Sequence, residues 1–169
     1  WNQKKNFDID ESILILEGFI NAINLKYKKA NILDIGAGSD ILKKKFKKKS
    51  FSYLGTDIHK KKFKNIVYDD IKILNKNFIN KFDIIFCLKT IYYVSDKIDK
   101  VIKNFKKYLK PNGFLIISYN IKKKSFSNKF LTDLKLRKIL KKYFKEIYTI
   151  ELNRWKKIEA MKMYFLVGL

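Results

Sequence analysis

Short apolar runs alternate with lysine-rich amphipathic segments along the first two-thirds of this 169-residue chain. In order, the runs read NILDI (31–35), FSYLGTD (51–57), NIVYDD (65–70), KFDIIFCL (81–88) and FLIISYN (114–120). The run at 81–88 is apolar almost without interruption, which is typical of a strand buried on both faces of a parallel sheet. Strands that alternate with helices in this way predict an α/β fold with right-handed crossovers.

Two long segments have apolar residues at the three- and four-residue spacing of one helix face. The first covers residues 10–29, where Asp10 or Ser12 is the predicted cap, and the second runs from Ser95 to Lys110. The turn Pro111-Asn112-Gly113 predicts where the second helix ends.

The remaining segments complete the predicted sheet. KKKFKKK (43–49) predicts the first helix after the glycine-rich turn, and Thr132 is the predicted N-cap of DLKLRKILKKYF (133–144). EIYTIEL (146–152) and MKMYFLVGL (161–169) predict two strands joined by a loop, so they pair antiparallel at one edge. We therefore predict a Rossmann-like sheet of seven mostly parallel strands, with helices on both faces and an antiparallel C-terminal edge hairpin.

Single copies of cysteine and histidine limit the chemistry that the chain can perform. Cys87 is the only cysteine and His59 the only histidine, which excludes an internal disulfide and any multi-cysteine zinc site. We expect no metal site, no membrane span and a reduced, cytoplasmic setting.

The net charge of +23 is open to two interpretations. A functional basic surface would attract nucleic acid or other anions. Against that, Arg137 and Arg154 are the only arginines, and the lysines are spread along the whole chain beside abundant Asn and Ile. General compositional bias is therefore the favoured interpretation, and a nucleic-acid partner is not favoured.

The turn NILDIGAGSD (31–40) points to a ligand that approaches the backbone closely, since glycine has no Cβ in the way. The chain contains no GxxxxGK[ST] phosphate loop, and the dinucleotide pattern GxGxxG fails because its third position is Ile41. Asp34 before the glycines would repel a diphosphate, so it favours a ligand with a positive charge there.

Two further acids are predicted at the carboxyl ends of neighbouring strands. Asp57 ends the second strand, where an acid can accept hydrogen bonds from both ribose hydroxyls, and Asp70 ends the third, placed for an adenine amino group. A cation, a ribose and an adenine without phosphate describe S-adenosylmethionine.

With these residues in this order, the chain resembles the class I S-adenosylmethionine-dependent methyltransferases of small-molecule type. The first motif of that family, acid-x-Gly-x-Gly, matches Asp34-Ile35-Gly36-Ala37-Gly38, and LKPNGFLIIS (109–118) resembles its turn before strand five. The resemblance implies a set of cofactor-binding residues: Asp34, Gly36, Ala37, Gly38, Asp57, Ile58, Asp70 with Asp69 as the register alternative, Ile71, Leu88 and Lys89. It also implies one methyltransferase domain over 1–169: an N-terminal helix (10–29), a cofactor-binding half (31–90) and an acceptor-side half (91–169).

The resemblance says less about the methyl acceptor. The positions after strand four lack the Pro-Pro-aromatic motif of amino-methylating nucleic-acid enzymes, and Cys87 lies inside a strand rather than in a nucleophile loop. We expect methyl transfer to O or N of a small molecule such as a sugar, a polysaccharide unit or an anionic metabolite. Tyr92, Lys89 and His59 are the candidate catalytic residues, with YNIKKKSFSNKF (119–130) as the loop over the acceptor side. An RNA methyltransferase and a non-catalytic cofactor-binding subunit remain the alternatives.

Overall fold

The computed structural model describes residues 11–38, 42–46, 50–59, 66–122, 131–153 and 159–168. Predicted features at Asp10, 60–65 and 123–130 lie outside the described residues, as do the Ser12 side chain and the last three residues of KKKFKKK.

One seven-stranded sheet organises the described chain. Its strands are β1 (Ala30–Ile35), β2 (Phe51–Asp57), β3 (Ile66–Tyr68), β4 (Phe82–Leu88), β5 (Leu109–Lys122), β6 (Phe144–Asn153) and β7 (Glu159–Gly168). They lie in the order β3-β2-β1-β4-β5-β7-β6. The first five run parallel, and β7 is antiparallel to both β5 and β6. The predicted sheet and its antiparallel C-terminal pair are confirmed.

Three α-helices accompany the described strands: α1 (Glu11–Lys26), α2 (Ile98–Tyr108) and α3 (Asp133–Tyr143). The predicted cap of α3 is confirmed, because the backbone N–H of Lys135 donates to the Thr132 hydroxyl at 3.2 Å. The predicted end of α2 at Lys110 is wrong by two residues, because Leu109 already pairs with Phe82 of β4.

The helix predicted at KKKFKKK is also shorter than expected in the described residues. A single 3-10 turn covers Leu42–Lys45, in which Leu42 is buried and the lysines are not. Leu42 and Phe46 both pack on the sheet, and they lie only four residues apart.

The helices bury opposite faces of the sheet, and period-two alternation along the strands decides which residues meet which helix. Ile32 and Ile84 face α1, which contributes Leu16, Ile20 and Ile23 to that cluster. Leu33 and Ile85 face the other side, where α2 and α3 pack. Both faces of the parallel strands are therefore apolar, as the uninterrupted run in β4 predicts.

Strand register brings the ends of β1 to β4 to one edge. Asp34 lies opposite Gly55 on one side and Phe86 on the other, and Asp57 lies opposite Tyr68. The backbone N–H groups of Gly36 and Ala37 both donate to the Thr56 carbonyl, at 2.8 and 3.0 Å. These bonds fix the glycine turn over the end of β2.

Candidate functional site

A cavity of about 810 Å³ opens at the carboxyl ends of β1 to β4. In parallel α/β sheets, this edge is where ligands bind. Its lining consists of Gly36, Gly38, Asp57, Ile58, His59, Asp69, Asp70, Ile71, Lys72, Leu88, Lys89, Thr90, Tyr92, Tyr93 and Val94. The structure thus brings most of the predicted site residues together, although Asp34 and Ala37 are not part of the lining.

The two positions of the turn, Gly36 and Gly38, require glycine for different structural reasons. Both have positive φ, +72° at Gly36 and +55° at Gly38, a region that disfavours side chains. A Cβ on Gly36 would lie 2.1 Å from the Thr90 hydroxyl oxygen. A Cβ on Gly38 would meet nothing closer than the Gly36 carbonyl oxygen at 4.0 Å. Gly36 therefore permits close packing against the segment after β4, whereas Gly38 exposes backbone to the cavity.

The Asp57 carboxylate is held in place by the backbone on both sides. Its Oδ2 accepts a bond from the Gly38 N–H at 3.3 Å, and its Oδ1 accepts one from the His59 N–H at 2.9 Å. Each carboxylate oxygen can accept a second hydrogen bond, so the side chain can still receive two hydroxyl groups from a ligand.

Asp69 and Asp70, the two register alternatives, have different surroundings. Asp69 is buried, and its Oδ1 accepts a bond from the Asn75 side chain at 3.0 Å. Burial raises the pKa of the Asp69 carboxyl. The Oδ1 of Asp70 accepts a bond from the Lys72 N–H at 3.0 Å, so Asp70 caps its own turn and lies half-buried at the cavity wall beside Ile71.

Tyr108, at the end of α2, anchors the segment that follows Asp70. Its hydroxyl accepts a bond from the Asn75 N–H at 2.8 Å and donates to the Ile73 carbonyl at 3.3 Å. Burial raises the pKa of this hydroxyl. Sequence reasoning missed Tyr108, since neither helical spacing nor motif distinguishes it from a core aromatic residue.

Asp34 lies beneath the turn. It is only 3% exposed, and the Tyr53 hydroxyl of β2 donates to its Oδ2. No sequence pattern identifies Tyr53, because the contact depends on the β1–β2 register. Cys87 lies nearby within β4, where burial first and the Asp34 charge second raise the pKa of its thiol. Cys87 is thus a buried, un-ionised side chain.

The backbone after β4 turns sharply at Lys89. Lys89 has φ +52°, and its N–H donates to the carbonyl and the hydroxyl of Ser118 in β5, at 2.9 and 3.2 Å. The next residue, Thr90, donates its hydroxyl to the Leu88 carbonyl at 3.0 Å. A non-glycine residue in this region is strained, and such strain persists where neighbouring contacts fix the conformation.

Tyr92 and Tyr93 form an aromatic wall on the same side of the cavity. Their ring centroids lie 4.2 Å apart, and the Tyr92 hydroxyl donates to that of Tyr93 at 3.1 Å. Burial, followed by this hydrogen bond, raises the pKa of Tyr92 to about 12. Tyr92 is therefore protonated at neutral pH and is unsuited to act as a general base.

The other candidate, His59, lines the cavity but is exposed. Lys72, Thr90 and Val94 also line the cavity, although no sequence motif predicted them. Lys72 follows directly after Ile71 and could have been found by that position, whereas Thr90 is identified only by its contact with Gly36.

Neither a membrane-spanning helix nor a metal-binding cluster occurs among the described residues. Within those residues, no helix combines the length and apolar character needed to span a bilayer. The same residues contain no group of three or more His, Cys, Asp or Glu side chains arranged to bind a metal ion.

Comparison with known proteins identifies a family model described as "Methyltransferase domain", which matches residues 16–158. The sequence has no match among curated proteins. Similar solved structures include N-methyltransferase NodS from Bradyrhizobium japonicum WM9 in complex with S-adenosyl-L-homocysteine, at 14% identity and TM-score 0.69, covering 99% of this chain and 93% of that one.

Two other similar structures have higher TM-scores. PH0226 protein from Pyrococcus horikoshii OT3 has 14% identity and TM-score 0.73, with 98% of this chain and 93% of that chain covered. The [4+2]-cyclase SpnF has 10% identity and TM-score 0.74, with 99% and 85% covered. At these identities the likeness establishes the fold alone, because a cyclase and a methyltransferase both share it.

Proposed function

The chain belongs to the methyltransferase-domain family, and from that premise we propose that it transfers a methyl group from S-adenosylmethionine to an oxygen or nitrogen atom of a small-molecule acceptor. The observation that carries the proposal is the Asp57 carboxylate, which lines the cavity and is fixed there by the Gly38 N–H. We propose further that residues 1–169 act as one domain and that the protein works in the cytoplasm.

The chemistry of the lining residues fits this cofactor. Asp57 would accept both ribose hydroxyls, and Asp70 with Ile71 would contact the amino group and ring of adenine, with Asp69 as the alternative acid. Three acids around one end of the cavity suit a ligand without phosphate, since a diphosphate would be repelled. A volume of about 810 Å³ lies within the usual range for ligand pockets.

The remaining cofactor contacts follow from the turn and from the end of β4. The backbone of Gly36, Ala37 and Gly38 would lie along the methionine part, with the buried Asp34 beneath it. Ile58 would flank the ribose, and Leu88 and Lys89 would adjoin the sulfur. When bound, the cofactor supplies a methyl carbon activated by a sulfonium.

The role of the protein is to align an acceptor with that carbon and to keep water out. We propose that Lys89 and the Tyr92–Tyr93 wall do so, since they line the cavity on the β4 side. We assign Lys89 to acceptor binding and Tyr92 to positioning, and leave His59 as a rim residue beside the ribose acid. We propose sugars, polysaccharide units and anionic metabolites as the acceptor classes.

One observation favours a second candidate function, RNA methylation. Helices α2 and α3 pack on the same face of the sheet and carry exposed lysines: Lys100, Lys103, Lys107, Lys135, Lys138 and Lys141. A surface of this charge attracts phosphates, so RNA binding would weaken steeply with salt. The cyclase SpnF shares the fold, so the fold by itself does not establish methyl transfer.

The proposed function is tested with S-adenosylmethionine labelled in the methyl group and with separate small-molecule and RNA acceptor pools. We expect label to move to the small-molecule pool with equimolar formation of S-adenosylhomocysteine. Transfer should be lost in Asp57→Ala and kept in Asp99→Ala, a matched carboxylate removal on α2 outside the cavity lining. Transfer to RNA alone would overturn the proposed acceptor class.

A further inference from the structure

We propose that the methyl acceptor carries a planar aromatic ring, which stacks on the Tyr93 side chain in the cavity wall. This inference rests on the proposed methyltransferase function and names a feature of the acceptor of that same site. It narrows the proposed acceptor classes to small metabolites that contain such a ring. It follows from the exposure of Tyr93, from the turn that holds this residue and from the chemistry of its neighbours.

Tyr93 is largely uncovered although it belongs to the cavity lining. It is 74% exposed, whereas Tyr92 is 38% exposed. Their ring centroids lie 4.2 Å apart and the ring planes are tilted by 46°, so Tyr92 covers only part of its neighbour. Aromatic pairs prefer offset or edge-to-face arrangements with centroids about 4.5–7 Å apart. The uncovered part of Tyr93 therefore offers a place for a second ring.

The backbone beneath the two tyrosines is fixed by the protein core. A 3-10 turn covers Ile91–Val94, and its first and last residues are buried, at 0% and 5% exposed. The Tyr93 N–H donates to the Thr90 carbonyl at 3.1 Å. The Lys97 N–H donates to the Val94 carbonyl at 3.0 Å. Because the turn is held in this way before any ligand binds, stacking on it costs little ordering of the protein.

The hydroxyl groups beside Tyr93 already donate to protein atoms. The Thr90 hydroxyl donates to the Leu88 carbonyl at 3.0 Å, and the Tyr92 hydroxyl donates to that of Tyr93 at 3.1 Å. The side chains of Leu88 and Val94 line the same part of the cavity and form no hydrogen bonds. A sugar ring carries several hydroxyl groups, and each costs free energy when it leaves water without a partner. A planar aromatic ring has no such requirement, so it suits this wall better.

The inference is tested first by binding, with 2-naphthol as the planar probe and decahydro-2-naphthol as its saturated counterpart. The two probes share a hydroxyl group and a carbon skeleton, so a difference in affinity reports stacking rather than apolar burial. Saturation-transfer NMR on the protein saturated with S-adenosylhomocysteine measures both dissociation constants. We expect the wild type to bind 2-naphthol about three- to tenfold more tightly, the effect of one aromatic pair.

Three variants separate the ring of Tyr93 from its hydroxyl group and from its bulk. Tyr93→Phe keeps the ring and should retain the preference for 2-naphthol. Tyr93→Leu keeps only apolar bulk and should bind the two probes equally. The matched variant Tyr148→Leu should retain the preference, because Tyr148 is 61% exposed on β6 and lies outside the cavity lining.

Three binding results would overturn the inference: no binding of 2-naphthol, equal affinity of the wild type for both probes, or a preference that Tyr93→Leu leaves intact. Calorimetric binding of S-adenosylhomocysteine is measured separately. A protein that binds S-adenosylhomocysteine and gives one of these three results disproves the inference alone. A folded protein that binds no S-adenosylhomocysteine disproves the proposed function.

Methyl transfer gives a second readout. Matched aromatic and saturated alcohols and amines are incubated with methyl-labelled S-adenosylmethionine, with simple sugars beside them. Preferential labelling of the aromatic members supports the inference, and Tyr93→Leu should then raise their KM more than it lowers kcat. Label found only on the saturated members or on sugars would contradict it.

Discussion

Replacing Gly36 by alanine should destabilise the fold far more than the same change at Gly38. Both residues have positive φ, which costs an L-residue about 1–2 kcal/mol. Only at Gly36 does the added methyl group collide with a neighbour, at 2.1, 2.6 and 2.9 Å from the Thr90 side-chain atoms. Overpacking of this kind adds about 1–3 kcal/mol, so we expect a total loss of about 2–5 kcal/mol for Gly36→Ala.

Urea unfolding measures these losses. With a slope of about 2 kcal/mol per molar, Gly36→Ala should lower the midpoint by about 1–2.5 M and Gly38→Ala by about 0.5–1 M. Thr90→Ala removes the two closest atoms, so it should recover part of the loss in Gly36→Ala and none in Gly38→Ala. Equal destabilisation by the two glycine variants, or identical effects of Thr90→Ala in both, would refute the packing argument.

Three further predictions concern positions outside the glycine turn. Tyr108→Phe should cost about 1–3 kcal/mol in urea unfolding, because the Asn75 N–H loses its acceptor in a half-buried place; an unchanged midpoint would contradict the anchoring role. Burial alone would raise the pKa of the Asp133 carboxyl. Hydrogen bonds from Lys162 and two tyrosine hydroxyls outweigh that effect, so the pKa of Asp133 is lowered in the folded protein. The ionised carboxylate should therefore add to the free energy of unfolding above the ordinary carboxyl pKa of about 3.9, and this contribution should be lost as pH falls below that value. In acid-unfolding curves, Asp133→Asn should show a smaller loss of stability over the same pH range. Cys87 is fully buried and its thiol pKa is raised, so it should react with a thiol reagent only at the rate at which the protein unfolds. Rapid labelling of the native protein would contradict this burial.

The fold was predictable because its main signals are local. Apolar runs of strand length and helical spacing lie in single stretches of sequence, and Asp57 and Asp70 mark strand ends that can be read without knowing the pairing. Parallel strands share one ligand-binding edge, so these acids could be placed together before their distances were known.

What the sequence did not show depends on contacts between distant segments. The bond from Tyr53 to Asp34 requires the register of β1 on β2, and the contact of Gly36 with Thr90 requires β4 beside β1. The anchoring of Asn75 by Tyr108 joins two segments that no periodicity connects. The short 3-10 turn at Leu42–Lys45 was not predictable in the same way, since the extent of a helix depends on how much of its surface packs on the sheet.

The central claim is that the cavity at the ends of β1 to β4 is an S-adenosylmethionine site built around Asp57. Calorimetric titration of the wild-type protein with S-adenosylhomocysteine tests it most directly, with Asp57→Ala and the control Asp99→Ala beside it. We expect one site of about micromolar affinity, weakened about 30-fold or more in Asp57→Ala through loss of charge-assisted bonds, and unchanged in Asp99→Ala. A folded wild type that binds no S-adenosylhomocysteine, or an Asp57→Ala variant that binds it equally well, would contradict the claim.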